Sequence, residues 1–173
     1  EYAREGHRII DGDVIDVDGQ RWGFVGGGLI SPMRTPYEID PAEYAAKLDT
    51  LGPVDVLFTH IPPHHPLSNY DVVARRFEVG SHAIVEFIER HQPRFHFYGH
   101  VHQPLAARTR IGRTESVNVG HFHGRERPFT IDLSRQQVAF PHGGPNRIEH
   151  RDQRGARADH GRDRGSSGVP AVE

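Results

Sequence analysis

Three histidines at two places in the chain could do chemistry together. His60 ends the run Val54 to Thr59 (Val-Asp-Val-Leu-Phe-Thr), and His100 and His102 close the stretch Phe-His-Phe-Tyr-Gly-His-Val-His at 95 to 102. Imidazole lone pairs suit borderline divalent ions such as Zn²⁺, Mn²⁺ or Fe²⁺. The aromatic run before Gly99 predicts a buried strand, and the glycine is expected to turn the backbone and bring two imidazoles out at the strand's end. In extended chain, residues i and i+2 point the same way about 6.5 to 7 Å apart, so His100 and His102 are expected to aim at one cavity. They could serve one metal or two neighbouring ones. An isolated His-x-His is equally the mark of a strand with a wet face, so its meaning rests on the elements that place it.

Those elements are legible on both sides of His60. A helix is expected from Asp40 to Gly52: Asp40 can cap it, Pro41 suits the first position, Glu43 sits where a capping-box acid belongs and Gly52 stops it. Tyr44, Ala45, Leu48 and Leu51 make one apolar stripe that must pack on a sheet. The strand 54–59 is apolar almost throughout, which suits a central strand covered on both faces. After His60 a long connection rich in proline and histidine, 61–80, predicts a rim or lid over a site. Within it the adjacent His64 and His65 cannot easily face one centre, so solvation is the plainer reading, although His64 stays a candidate for substrate contact. Arg75-Arg76 could meet a phosphate, but a charge pair on a surface turn is usually solvated. A second helix runs from Ser81 to His91 on an apolar face of Ile84, Val85, Phe87 and Ile88, with Pro93 beyond its end.

The order is strand, loop and helix, strand. The crossover rule then makes the two strands parallel neighbours about 4.8 Å apart. Ligand sites of such sheets lie outside the carboxyl ends of the strands. Topology is therefore expected to bring His60, His100 and His102 together.

The remaining chain sets limits. With 173 residues, 35% hydrophobic and 25% charged, the sequence allows one modest core or part of a larger domain. It opens on Glu1 and its only methionine is Met33, so more chain is expected to precede it. No cysteine is present, which excludes disulfides and thiolate metal sites and fits a reducing, cytoplasmic setting. A net charge of −2 provides no field for nucleic acid or anionic membrane, and no apolar stretch approaches the roughly 20 residues of a membrane span. Nothing signals an oligomeric state. Residues 7–25 predict an antiparallel meander with Asp-Gly turns at 11–12 and 18–19. The Gly-Asp-x-x-Asp at 12–16 is no metal motif, because Asp13 and Asp16 fall on opposite faces of a strand. Gly26-Gly27-Gly28 lacks the Lys-Ser/Thr of a phosphate loop and predicts a tight backbone crossing. Residues 29–39 read as a loop. Further strands are expected at 115–119, 129–133 and 137–140, with Asn118-Val119-Gly120-His121 at a turn. From 141 to 173 the composition predicts a disordered tail, so the domain is expected to span 1–140.

The paired segments, Thr-His-Ile-Pro-Pro at 59–63 and Tyr-Gly-His-Val-His at 98–102 with a crossover helix between, carry a more specific signal. They resemble the last two blocks of the calcineurin-like metallophosphoesterase superfamily, and Asn118-Val119-Gly120 looks like the Asn-x-Gly turn that often follows them. The resemblance covers roughly residues 7 to 140. It implies an α/β fold, part of a β-sandwich flanked by helices, and hydrolysis of a small phosphate ester, a monoester or a diester, at a centre of two divalent ions (Mn, Fe or Zn). By motif position it implies His60 and His100 as ligands of one metal and His102 of the other, with His121, Asn118 or His64 near the substrate. The family's opening blocks, an Asp-x-His, a Gly-Asp-x-x-Asp and an Asn-His-Asp/Glu that carries the general acid, do not occur here. The chain is thus expected to be the C-terminal part of such an enzyme and inactive alone. The alternative is a non-catalytic, histidine-based metal-binding or interaction module, or an enzyme relic.

Overall fold

The computed structural model of the chain describes residues 11–32, 34–120, 130–132 and 137–139. Ile9 and Ile10 of the expected meander, His121 and the tail from 141 lie outside those residues.

The first hairpin follows from its turn chemistry. β1 (Asp13–Val17) pairs antiparallel with β2 (Gln20–Val25) through a two-residue loop, and Asp18 and Gly19 both take positive φ, 53° and 78°. That is the turn whose twist matches paired strands. β3 (Gly28–Leu29) and β4 (Glu38–Ile39) form a short parallel pair. The chain crosses itself tightly there: at Gly27, φ 79°, an added Cβ would lie 2.8 Å from the Tyr37 carbonyl oxygen. The expected crossing is what the glycines provide.

α1 (Pro41–Leu51) starts where Asp40 accepts a 2.8 Å hydrogen bond from the Ala42 N–H and stops at Gly52, φ 61°. It buries Tyr44, Leu48 and Leu51. β5 (Val56–Thr59) begins two residues later than expected. The connection after it is organised rather than loose: α2 (Pro66–Asn69) is followed by a small hairpin of β6 (Tyr70–Asp71) and β7 (Arg76–Phe77). α3 (His82–His91) is capped by Ser81, whose hydroxyl accepts from the Ile84 N–H, and buries Ile84, Phe87 and Ile88. It ends at Gln92, a left-handed cap without glycine. β8 (Phe95–Tyr98), β9 (Arg108–Ile111) and β10 (Thr114–Asn118) complete the main sheet, and β11 (Thr130–Asp132) pairs separately with β12 (Gln137–Ala139).

The six-stranded sheet runs β1-β2-β5-β8-β10-β9. β2, β5, β8 and β10 are mutually parallel, and β1 and β9 close the edges antiparallel. The fold is mixed α/β, a central sheet flanked by helices, and β5 and β8 are the parallel neighbours that the crossover rule requires. What the described residues form is this one large sheet with three two-stranded ribbons.

Alternation divides the sheet's side chains between two faces. Leu57 joins Val25 and Ile61 under the buried sides of α1 and α3 in an aliphatic core. Each such side chain contributes on the order of 1.5–3 kcal/mol when fully buried. Val56, Phe58, Phe95 and Phe97 point the other way, where rings stack in a row: Phe24 on Phe58 at 4.7 Å and Phe58 near Phe97 at 5.4 Å. No helix of the described residues is long and apolar enough to cross a membrane.

Candidate functional site

β5 and β8 end side by side, and the chain knits their ends before releasing them. The His60 N–H donates to the Val25 carbonyl at 3.2 Å, and the Gly99 N–H donates to the His60 carbonyl at 3.0 Å. The two imidazoles just beyond these bonds meet, ring centroids 5.3 Å apart and nearly perpendicular at 74°.

His100 reaches that position through an uncommon backbone. Its φ is +63°, and the Val101 N–H returns to the Gly99 carbonyl at 2.7 Å, which makes a γ-turn centred on His100. The form with positive φ is rare and strained, at about 1–3 kcal/mol for a side chain other than glycine. The sequence predicts the turn at Gly99; the structure puts the left-handed residue one position later, on the histidine itself.

That turn also decides the fate of His102. The expectation that all three histidines meet rests on a two-residue period, but β8 ends at Tyr98 and the γ-turn breaks the extended path. His60 and His100 come together. Among the described residues, however, no three His, Asp or Glu side chains converge closely enough to hold a metal ion. His102 stays within electrostatic reach of His100. Its backbone is fixed by Asp71, 7% exposed, whose carboxylate accepts from the N–H groups of Val73 and Ala74, both at 2.9 Å, and of Gln103 at 3.2 Å. Burial pushes that carboxyl up, but these bonds and one from the His102 backbone outweigh it and hold the pKa below the usual range.

Both paired imidazoles reach solvent, yet enough protein surrounds them to matter electrostatically. Desolvation pulls the pKa of His60 below its ordinary value, and the neighbouring His100 adds to the effect. Desolvation does the same to His100, against the opposing pull of Glu78 and Glu38. At neutral pH both rings therefore keep a lone pair for a Lewis acid. Two neutral imidazoles fit a share of a divalent-metal ligand set and fall short of a whole one.

Below the pair lies a polar network that the sequence did not announce. His96 is 0% exposed, in register with Ser116 of β10. Its Nε2 lies 2.9 Å from the Thr59 hydroxyl and its Nδ1 2.9 Å from the Ser116 hydroxyl. Thr59 spends its proton on the Ile61 carbonyl at 2.7 Å, so Nε2–H donates to Thr59 and Nδ1 accepts from Ser116. The network spans three strands and fixes the turn that carries His60. Burial drives the His96 pKa down to about 3.

Asn118, 0% exposed, steadies the other turn. Its amide donates to the Val101 carbonyl at 2.9 Å and its oxygen accepts from the Gly120 N–H at 2.7 Å, so its polar atoms serve the loop's backbone. His64 is exposed and stacks on His82, ring centroids 3.9 Å apart, and His65 caps α2.

His60 and His100 line a cleft of about 860 Å³. Its other walls come from the 26–38 segment and from the 76–79 part of the connection that was expected to form a rim. Arg76, expected to be plainly solvated, lines this cleft with its guanidinium 2.8 Å from Glu78. Glu38 staples the 31–38 loop, accepting from the Ser31 N–H and hydroxyl at 2.7 and 2.8 Å.

Comparison with known proteins supports the fold alone. No protein-family model matches the chain, and no curated relative does. One crystal structure superposes on 76% of the chain with a TM-score of 0.59 at 18% identity. TT1561 of Thermus thermophilus superposes on 75% with a TM-score of 0.49 at 17% identity. The chain covers 52% and 56% of those two structures, about half the length of each.

Proposed function

We propose that this chain is the C-terminal part of a calcineurin-like metallophosphoesterase domain, hydrolysing a small phosphate ester in a reducing compartment such as the cytoplasm. The observation that carries the reading is the His60–His100 pair at the carboxyl ends of adjacent parallel strands, with His100 held in a strained γ-turn. Strain of this kind persists where the surroundings impose it and gathers at functional sites. When bound, two divalent ions offset charge on the phosphoryl oxygens and lower the pKa of the attacking water.

This chain's own residues then have separate tasks. His60 and His100 would offer neutral imidazoles to one metal, and His102, its backbone steadied by Asp71, would serve the second. His96 and Asn118 hold the two turns in place. The general acid and the remaining metal ligands would come from outside this chain, a division in keeping with its coverage of 52% of one crystal structure that it superposes on.

The test is metal binding by the chain itself. Titration with Mn²⁺, followed by electron paramagnetic resonance, is expected to show weak binding that His60→Ala and His100→Ala each abolish, with no turnover of a chromogenic phosphodiester. Binding unchanged in both variants overturns the ligand assignment. Saturable turnover that His100→Ala removes overturns the division of labour. A tight single ion without turnover, even when the full-length protein is used, selects the non-catalytic module instead.

A further inference from the structure

The cleft beside the histidine pair is built unevenly. Its walls carry two large aromatic side chains that are mostly exposed: Tyr37 is 76% exposed and Phe77 64% exposed, and both line the cleft. Phe77 is braced edge-on by Tyr70, ring centroids 5.0 Å apart at 70°, so the exposed ring is held rather than loose. The Tyr37 backbone is pinned by the Gly28 N–H, which donates to its carbonyl at 3.0 Å. Leaving such surface wet costs free energy, and exposed apolar patches next to polar, convergent groups mark ligand sites. Gly26, Gly27 and Gly28 line the cleft as well.

We propose that this cleft takes a phosphate ester whose leaving group is a flat aromatic ring system, with the phosphate at His60 and His100 and the ring against Tyr37 and Phe77. The inference rests on the phosphoesterase reading for its phosphate end and on the two rings for its other end. Volume is consistent with both, since about 860 Å³ exceeds what a bare phosphate fills and lies within the range of small-molecule sites. Charge sets a condition. Among the described residues that line the cleft, the acids Glu38 and Glu78 outnumber the one arginine, Arg76, so a phosphate enters only with a cation at the histidines.

The experiment is calorimetric binding to the full chain in excess Mn²⁺, using 1-naphthyl phosphate, glycerol 2-phosphate and 1-naphthol. The naphthyl ester is expected to bind at least about tenfold tighter than glycerol 2-phosphate. Tyr37→Ala and Phe77→Ala, both at exposed positions that leave the core intact, are each expected to weaken the naphthyl ester roughly five- to tenfold and to leave glycerol 2-phosphate unchanged. Equal affinity for the two esters, or a preference that survives both substitutions, overturns the proposal. If 1-naphthol binds as tightly as its phosphate and both substitutions weaken the two alike, the aromatic seat stands and the phosphoesterase reading alone falls.

Discussion

His96 and His100 stand four residues apart on one stretch of chain, and the molecule treats them in opposite ways. The strand interior gives His96 ordinary backbone, full burial and a partner for each ring nitrogen. The turn beyond it gives His100 a left-handed backbone, a ring open to solvent and another histidine for a neighbour. One histidine stabilises the fold; the other is held in place at its cost. Between these two histidines, the backbone rule is obeyed where the ring is buried and broken where the ring is offered to solvent.

The comparison can be sharpened first by acid. Because the folded pKa of His96 is about 3 against an ordinary 6.5, stability is fully present above pH 6.5. As pH falls toward 3, the unfolded chain takes a proton that the folded one refuses. The loss is on the order of 4–5 kcal/mol for His96 over that window. His60 and His100, also held low, add in the same direction. Denaturant midpoints measured between pH 7 and 4 should fall steadily, and His96→Gln should flatten the slope. A slope unchanged in that variant refutes the assignment.

Cutting the network is next in size. His96→Ala removes a buried ring and leaves the Ser116 hydroxyl unpartnered, at about 3–4 kcal/mol in chemical unfolding. A cost under about 1 kcal/mol would mean that the network positions nothing. Asn118→Ala should cost about 2 kcal/mol, because two turn contacts lose their buried partner. The same variant should shift the NMR signals of the His100 ring while leaving those of His96 in place.

The smallest effect has the opposite sign. His100→Gly relieves the positive φ and should stabilise the fold by about 1 kcal/mol while abolishing Mn²⁺ binding. A destabilised glycine variant would show that the His100 ring contributes to packing after all, and the contrast with His96 would disappear.

The elements around the site were legible because their signals are local. Asp40, Pro41 and Gly52 bracket α1, Ser81 caps α3, and Asp18-Gly19 turns the first hairpin. The parallel pairing of β5 and β8 followed from the order of elements, and with it the meeting of His60 and His100. What escaped depends on tertiary context. β9, Arg-Thr-Arg-Ile, has too little apolar content to announce an edge strand. The γ-turn has no residue signature, since the glycine that invites a turn sits one place too early. Nothing in the sequence singles out His96 within its aromatic run, and only the register with Ser116 and the neighbouring Thr59 shows what its nitrogens do. Asp71 carried a faint signal, an acid before a run of small apolar residues that can receive its Asx-type bonds.

The place of Asn118 in the sheet has a consequence for how the protein is made. β10 slips between β8 and β9, and its last residue provides the amide that holds the loop around His100. During synthesis the chain emerges from its N-terminal side, so β5 and β8 are available to pair before β10 exists. Until residue 118 leaves the ribosome, the γ-turn lacks this brace. A chain truncated before Asn118 carries both histidines without the side chain that ties down the Val101 carbonyl beside them.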